Sequence, residues 1–247
     1  MFRRVTGIAV ALMLVQPVAG YAIAPDARSE RVQFAKGATS TVIKGQIKGY
    51  RFVDYQVRAG AGQTLSVEMK TGNASSYFNI LPPGGGDVAM FIGSTSGNQF
   101  SGVLPTDGDY SIRVYLMRNA ARRNESANYA LTVGVTGQAL AATPAARDAL
   151  IPGTHFHASA KIACTPPYDA TTKECEAFVI RRGFDGTATV EVRWGAGMKR
   201  RILFVKGKPV AADATEELSV ERRGDVSVVR LGSDERFEIP DALVFGG

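Results

Sequence analysis

The chain has 247 residues, 45% of them hydrophobic and 21% charged, so intrinsic disorder and collagen-like architecture are excluded and there is material for one large domain or two modest ones. Two His, two Cys and one Trp leave almost nothing from which to build a His cluster, a structural zinc site or a haem pocket. The net charge of +6 at pH 7 is far from a nucleic-acid footprint, which needs basic side chains concentrated along one face.

The first element is an export signal over residues 1–24. Arg3 and Arg4 precede an apolar run from Val5 to Val18, and small residues follow at Ala19, Gly20, Ala22 and Ala24. Basic, apolar and small-residue regions in that order are a secretory leader, with cleavage expected after Ala22 or Ala24. The run is too short to be read as a transmembrane span, and no later segment is apolar enough for one. The expectation is a soluble protein of the periplasm. Two of the six surplus charges leave with the leader, and the remaining +4 is unevenly placed. Residues 25–140 hold 12 basic and 8 acidic side chains, whereas residues 141–247 hold 15 of each. A local basic site for an acidic protein surface or cleft fits this distribution better than nucleic acid.

Residues 25–137 alternate apolar and polar at period two in Arg51–Val57, Leu65–Met69, Tyr77–Leu81, Val88–Ile92, Tyr110–Leu116 and Tyr129–Val135. Turn signals separate them, among them Thr71-Gly72-Asn73, Pro82-Pro83-Gly84-Gly85-Gly86 and Thr106-Asp107-Gly108. Short strands with Gly-rich turns predict an antiparallel β-sandwich. Alternation stops at 138–152, whose Ala and Pro content reads as a linker. It resumes in residues 153–247, with strands expected at His155–Ile162, Ala177–Arg182, Thr187–Trp194, Arg201–Val205, Leu218–Arg222, Val226–Leu231 and Phe237–Ile239. The whole is therefore expected to be all-β: a sandwich, then a second small all-β domain. Cys164 and Cys175, an even pair in an exported chain, are expected to form a disulfide closing a loop of about 12 residues.

No reaction chemistry stands out. His155 and His157 are an H-x-H on an expected strand, but no third ligand is identifiable, so no metal site is read from them. No G-x-S-x-G elbow, P-loop or dinucleotide fingerprint is present, and the carboxylates are scattered. The chain is read as a non-enzyme without cofactor, metal or catalytic residues. The segment Arg118-Asn119-Ala120-Ala121-Arg122-Arg123-Asn124 is different. It holds three Arg in six residues without an acid, and in one helical turn Arg118 and Arg122 are i,i+4 neighbours that project together. Two parallel guanidinium forks suit carboxylate or phosphate.

The run Gly102-Val103-Leu104-Pro105-Thr106-Asp107-Gly108-Asp109-Tyr110-Ser111-Ile112-Arg113-Val114, followed by Arg118-Asn119-x-Ala121-Arg122 and Tyr129-x-Leu131-x-Val133, resembles the periplasmic inhibitors of goose-type (g-type) lysozyme. Ile47-Lys48-Gly49-Tyr50 and Ala61-Gly62-Gln63 match the same pattern, and the resemblance spans roughly residues 31–136. The Leu-Pro-x-x-Gly-x-Tyr turn alone is shared more loosely with prepeptidase C-terminal-type sandwiches of secreted hydrolases. The resemblance implies a sandwich whose loops plug the glycan cleft of a lysozyme with a tyrosine and two arginines, here Tyr50, Arg118 and Arg122, with Asn119 between the arginines in the same binding set. Parity supports Tyr50 separately: Val53, Tyr55 and Val57 make the apolar face, which puts Tyr50 on the exposed side and Tyr55 in the core. The alternative is an accessory module that binds cell-wall glycan or peptide without inhibiting any enzyme, with exposed tyrosines such as Tyr50, Tyr77 and Tyr115 suited to carbohydrate stacking. The second domain shows no assignable motif and departs from the single-domain pattern.

Overall fold

The computed structural model describes residues 27–168, 171–195 and 197–246. The export signal expected at 1–24 lies outside the described residues. Among those described, no helix is long and apolar enough to cross a membrane.

The chain is all-β, in two bodies. The first is a sandwich. One sheet orders β1 (Ala27–Arg31), β3 (Phe52–Ala59), β8 (Gly108–Leu116), β5 (Ser76–Leu81) and β6 (Phe91–Ile92), and the other orders β2 (Ser40–Lys48), β9 (Ser126–Thr136), β4 (Thr64–Thr71) and β7 (Gln99–Val103). Period-two alternation explains the closure, because successive side chains point to opposite faces and each strand sends its apolar set inward. On β8 every second residue from Gly108 to Leu116 is buried. Tyr110, Ile112 and Val114 meet Tyr55, Phe78 and Ile80 of their own sheet and Leu65, Val67 and Leu131 of the facing one in a single core. The pairs are antiparallel except β1 with β3, which run parallel.

Two expectations shift. The strand expected at Val88–Ile92 shortens to β6, and the chain then turns through α1 (Gly93–Ser96). Gly93 lies so close to β5 that a Cβ there would sit 2.4 Å from the Phe78 carbonyl oxygen, an approach only glycine permits. The strand expected at His155–Ile162 begins only at Ala158, because Ile151 N–H bonds to the Phe156 carbonyl at 2.8 Å and folds the preceding residues into a turn. The two His rings therefore part. His155 is exposed against Phe156, with ring centroids 4.1 Å apart, while His157 is buried. Arg181 N–H donates to His157 Nδ1 at 3.0 Å, so the proton belongs on Nε2, 2.9 Å from the Thr143 carbonyl.

The second body is one eight-stranded antiparallel sheet curled toward a barrel. Its order is β14 (Lys208–Ala212), β13 (Met198–Val205), β12 (Ala188–Trp194), β11 (Glu174–Arg181), β10 (Ala158–Thr165), β17 (Glu235–Pro240), β16 (Val226–Leu231) and β15 (Leu218–Arg223), with α3 (Asp241–Phe245) at its end. Strand β10 allows the curl by pairing with β11 over most of its length and with β17 through Cys164 and Thr165. The core is separate from that of the sandwich and includes Val179, Val190, Ile202, Phe204, Val229 and Phe237. Cys164 and Cys175 are joined, with Cα atoms 5.9 Å apart. A buried ion network lies on one side, with Arg200 bidentate to Glu235 at 2.6 and 2.8 Å and Arg201 between Glu191 at 2.9 Å and Asp213 at 3.1 Å. Every charge in it is paired, as burial requires.

Residues 138–152 are not an open tether. Leu140 N–H bonds to the Ala61 carbonyl at 2.9 Å, and its side chain covers Gly62, where a Cβ would come within 2.6 Å of Leu140 Cδ1. Thr143 N–H bonds to the Arg181 carbonyl, and the Arg181 guanidinium pairs with Asp148 at 2.9 Å. The fully buried Arg182 side chain then ties the bodies together, reaching Asp107 at 2.8 Å and the Leu140 carbonyl, while Thr189 Oγ1 donates to the Pro105 carbonyl at 2.8 Å.

Because each body has its own core, we propose that they are separate folding units joined by this docked segment. A fragment ending at Gly137 should fold as a β-rich domain but leave Gly60–Gly62 uncovered. Extending it to Ala142 restores the Leu140 cover, about 1 kcal/mol of apolar burial, and should raise the melting temperature by about 4 °C in circular dichroism. Reducing the disulfide of the full chain should remove roughly 2.8 kcal/mol from the second unit alone. Calorimetry should then show one transition falling and the other unchanged.

Candidate functional site

Strand β8 runs directly into α2 (Arg118–Arg122), a single turn closed by Ala121 N–H donating to the Met117 carbonyl at 2.9 Å. Its orientation follows from residue size. Ala120 and Ala121 are buried against the sandwich core, which turns Arg118, Asn119 and Arg122 outward. Arg118 and Arg122 are i,i+4 neighbours on that outer side, and neither has an ion pair or hydrogen bond among the described residues. Arg123, one position on, differs: its Nε donates to Glu125 Oε1 at 2.7 Å. Asn119 uses its side-chain oxygen locally, accepting the Ala120 N–H at 2.8 Å, so only its amide nitrogen remains free for a partner.

Tyr50 sits in the turn between β2 and β3 and is 61% exposed. The preceding Gly49 has φ of +60°, a left-handed conformation that costs any residue with a Cβ. Its N–H donates to the Glu125 carbonyl at 2.9 Å, and a Cβ there would meet Asn124 Oδ1 at 2.8 Å. The last rung of the β2–β9 ladder is Lys48 with Ser126, so this turn and the connection from α2 to β9 close the same end of the sandwich. Tyr50, Arg118, Asn119 and Arg122, scattered over 73 positions of sequence, are thereby brought to one pole. Tyr55 points the other way: it is buried, and its hydroxyl lies 2.8 Å from that of Tyr129.

Glu125 was not singled out by the sequence, yet it joins the Tyr50 turn, α2 and the connection between β4 and β5 at this pole. Asn73 Nδ2 donates to its Oε2 at 3.0 Å and Arg123 to its Oε1, and these bonds, that from Asn73 foremost, hold its carboxyl below the usual carboxylate range. A lone Glu at the end of a basic run carries no sequence signal, because its partner Asn73 lies 52 residues away.

The charges elsewhere on the sandwich are largely satisfied. Arg113 is bidentate to Asp54 at 2.8 and 3.0 Å and also reaches Asp87, Arg31 and Arg58 share Asp109, and Lys70 meets Glu68. Two unpaired guanidinium groups beside an exposed tyrosine are therefore a local feature of one pole. The fold is that of a β-sandwich module with an exposed basic and aromatic pole.

No family model matches the chain. The inhibitor of g-type lysozyme of Escherichia coli strain K12 is 31% identical over 112 residues, which make up 44% of this chain and 81% of that protein. Among solved structures, the periplasmic g-type lysozyme inhibitor PliG of Aeromonas hydrophila is 38% identical and covers 45% of this chain and 98% of its own, with a TM-score of 0.42. PliG of Salmonella Typhimurium is 28% identical, covering 44% and 98%, with a TM-score of 0.36. Through its N-terminal half, the chain belongs to the family of inhibitors of g-type lysozyme.

Gly49→Ala should destabilise the sandwich by about 1–2 kcal/mol, the cost of a Cβ in the left-handed region, with a further loss from the displaced Asn124. Urea denaturation monitored on the sandwich transition checks this, and the Tyr50 turn should be the region whose amide resonances move.

Proposed function

We propose that this chain is a non-enzymatic, periplasmic inhibitor of g-type lysozyme that blocks the glycan cleft with Tyr50, Arg118 and Arg122, aided by Asn119. The observation that carries this reading is the pair of unpaired, i,i+4 guanidinium groups beside an exposed tyrosine, on the half of the chain that is similar to the inhibitors. The chemistry is direct. A lysozyme cleft contains a carboxylic acid that protonates the glycosidic oxygen, so a guanidinium inserted there gains a partner where the enzyme cannot do without one. Two planar forks one helical turn apart hold a carboxylate with geometry as well as charge. Tyr50 supplies broad contact area at little entropic cost, having only two rotatable side-chain bonds. Surplus positive charge in this half complements an acidic cleft at contact distance.

A second reading, a module that binds cell-wall glycan, draws on Tyr77 and Tyr115. They are register partners across β5 and β8 on the outer side of the sheet and are half-buried, which puts two aromatic side chains on one face, a placement that suits sugar stacking. Retention on insoluble peptidoglycan that Tyr115→Ala abolishes, with lysozyme left fully active, would favour it over the first.

Titration of g-type lysozyme with purified protein tests the main reading. Truncating Arg118 or Arg122 to Ala should weaken inhibition by about 2–5 kcal/mol, roughly 30-fold to several thousand-fold, because a buried carboxylate is left unpaired. Arg123→Ala removes an exposed pair and should cost no more than about 1 kcal/mol. Arg118→Lys keeps the charge but not the fork, and should fall between wild type and Arg118→Ala. Equal small losses at all three arginines would indicate a diffuse basic patch, and a lysozyme left at full activity by the wild type would end the proposal.

A further inference from the structure

We infer that Glu125, bridged to Asn73, is a positioning residue that holds the Tyr50 turn and the α2 arginines in one arrangement without touching the partner; this rests on the lysozyme reading above. Three segments converge on it. Its carbonyl accepts the Gly49 N–H at 2.9 Å, which anchors the turn that carries Tyr50. Its own N–H donates to the Ala120 carbonyl at 3.2 Å, which closes the far end of α2. Its carboxylate takes Arg123 Nε on one oxygen at 2.7 Å and Asn73 Nδ2 on the other at 3.0 Å, and Asn73 Nδ2 also reaches the Ser126 carbonyl at 3.3 Å. Asn73 is itself fixed, since its side-chain oxygen accepts the Ser75 N–H at 2.9 Å and its N–H donates to Thr71 Oγ1 at 3.2 Å. The connection between β4 and β5 thus braces the binding pole from the side.

The need for a brace follows from the local chain. A five-residue helix has too few internal hydrogen bonds to be stable alone. The backbone after it enters the left-handed region at Asn124, where φ is +55°, and the neighbouring turn does so at Gly49. Loops built this way stay in one conformation only when the surroundings over-determine them. Each side-chain bond lost from Glu125 therefore admits alternative loop conformations. Apparent affinity then falls by the fraction of molecules still competent to bind. Each side-chain oxygen of Glu125 already accepts a bond within the protein, one from Asn73 and one from Arg123, which directs the carboxylate to the brace.

Association and dissociation rates separate positioning from contact. Purified Glu125→Ala and, independently, Asn73→Ala are compared with wild type for binding to g-type lysozyme by surface plasmon resonance, and for amide hydrogen exchange in the free protein. The expected result is association slowed ~10-fold with dissociation within ~2-fold of wild type, the signature of a less populated competent state. Exchange should accelerate at least ~10-fold at Gly49 and Glu125 while Val114 and Leu131 in the core stay protected, which also shows that the variants fold. Accelerated dissociation with unchanged association would make Glu125 a contact residue and overturn the inference, as would parental association in either variant. Wild-type protein that neither binds nor inhibits g-type lysozyme brings down the lysozyme reading itself, whereas wild-type inhibition with unaltered variants brings down the positioning role alone.

Discussion

Everything in the N-terminal half depends on the burial of one strand. Strand β8 lies between β3 and β5 and sends Tyr110, Ile112, Val114 and Leu116 into the core, each worth about 1.5–3 kcal/mol of apolar burial. The strict period leaves no freedom of register, since a slip of one residue would turn all four to solvent. Its start is pinned by Tyr110, whose hydroxyl donates to the Thr106 carbonyl at 2.8 Å, and its end passes without a linker into the arginine turn. The position of α2 is thus inherited from the core, and the residues that would meet a partner are placed by residues that never do.

The distribution of ion pairs points to the same division of labour. In the second body the buried arginines are each matched by a carboxylate, as the cost of desolvation demands. On the sandwich, Arg113 is held between two aspartates and also stacks on Phe52 at 4.5 Å. Arg118 and Arg122 depart from this habit, and their neighbour Arg123 does not. An exposed unpaired cation costs the free protein little, because water solvates it, and its worth appears only where water is excluded. Leaving two such groups one turn apart is a poor way to stabilise a fold and a good way to meet a desolvated carboxylate.

The sequence made the central strands legible because they are written in local parity, whereas Tyr50, exposed as parity expected, lies in the turn before β3 and owes its exposure to that turn. The sequence also made the arginine pair legible, since i,i+4 spacing needs no knowledge of the rest of the chain. Ser40–Lys48 escaped notice as a strand because its burial is only partial and Gly45 interrupts it, a glycine needed where the Tyr129 hydroxyl lies 2.4 Å from any Cβ. Residues 138–152 looked like a tether because the partner of Leu140 is Gly62, far away in the chain and visible only after folding. Glu125 could not be found for the same reason. What sequence conceals here is neither propensity nor charge but which distant polar atoms become neighbours.

The second body attaches at the opposite end of β8 from the arginines. Arg182 and Thr189 hold the connection at Pro105–Asp107 that precedes the strand, and α2 follows it. Nine residues of extended chain separate those ends by about 30 Å. A body docked there does not cover the Tyr50 turn, and it is held to the sandwich by the buried side chain of Arg182 on the half-exposed Asp107 and by Thr189 on the Pro105 carbonyl. The Escherichia coli relative matches only 44% of this chain, and the body beyond the matched sandwich attaches at the end of β8 opposite the proposed binding pole. Tyr50, Arg118, Asn119 and Arg122, the residues of the proposed site, all belong to the sandwich.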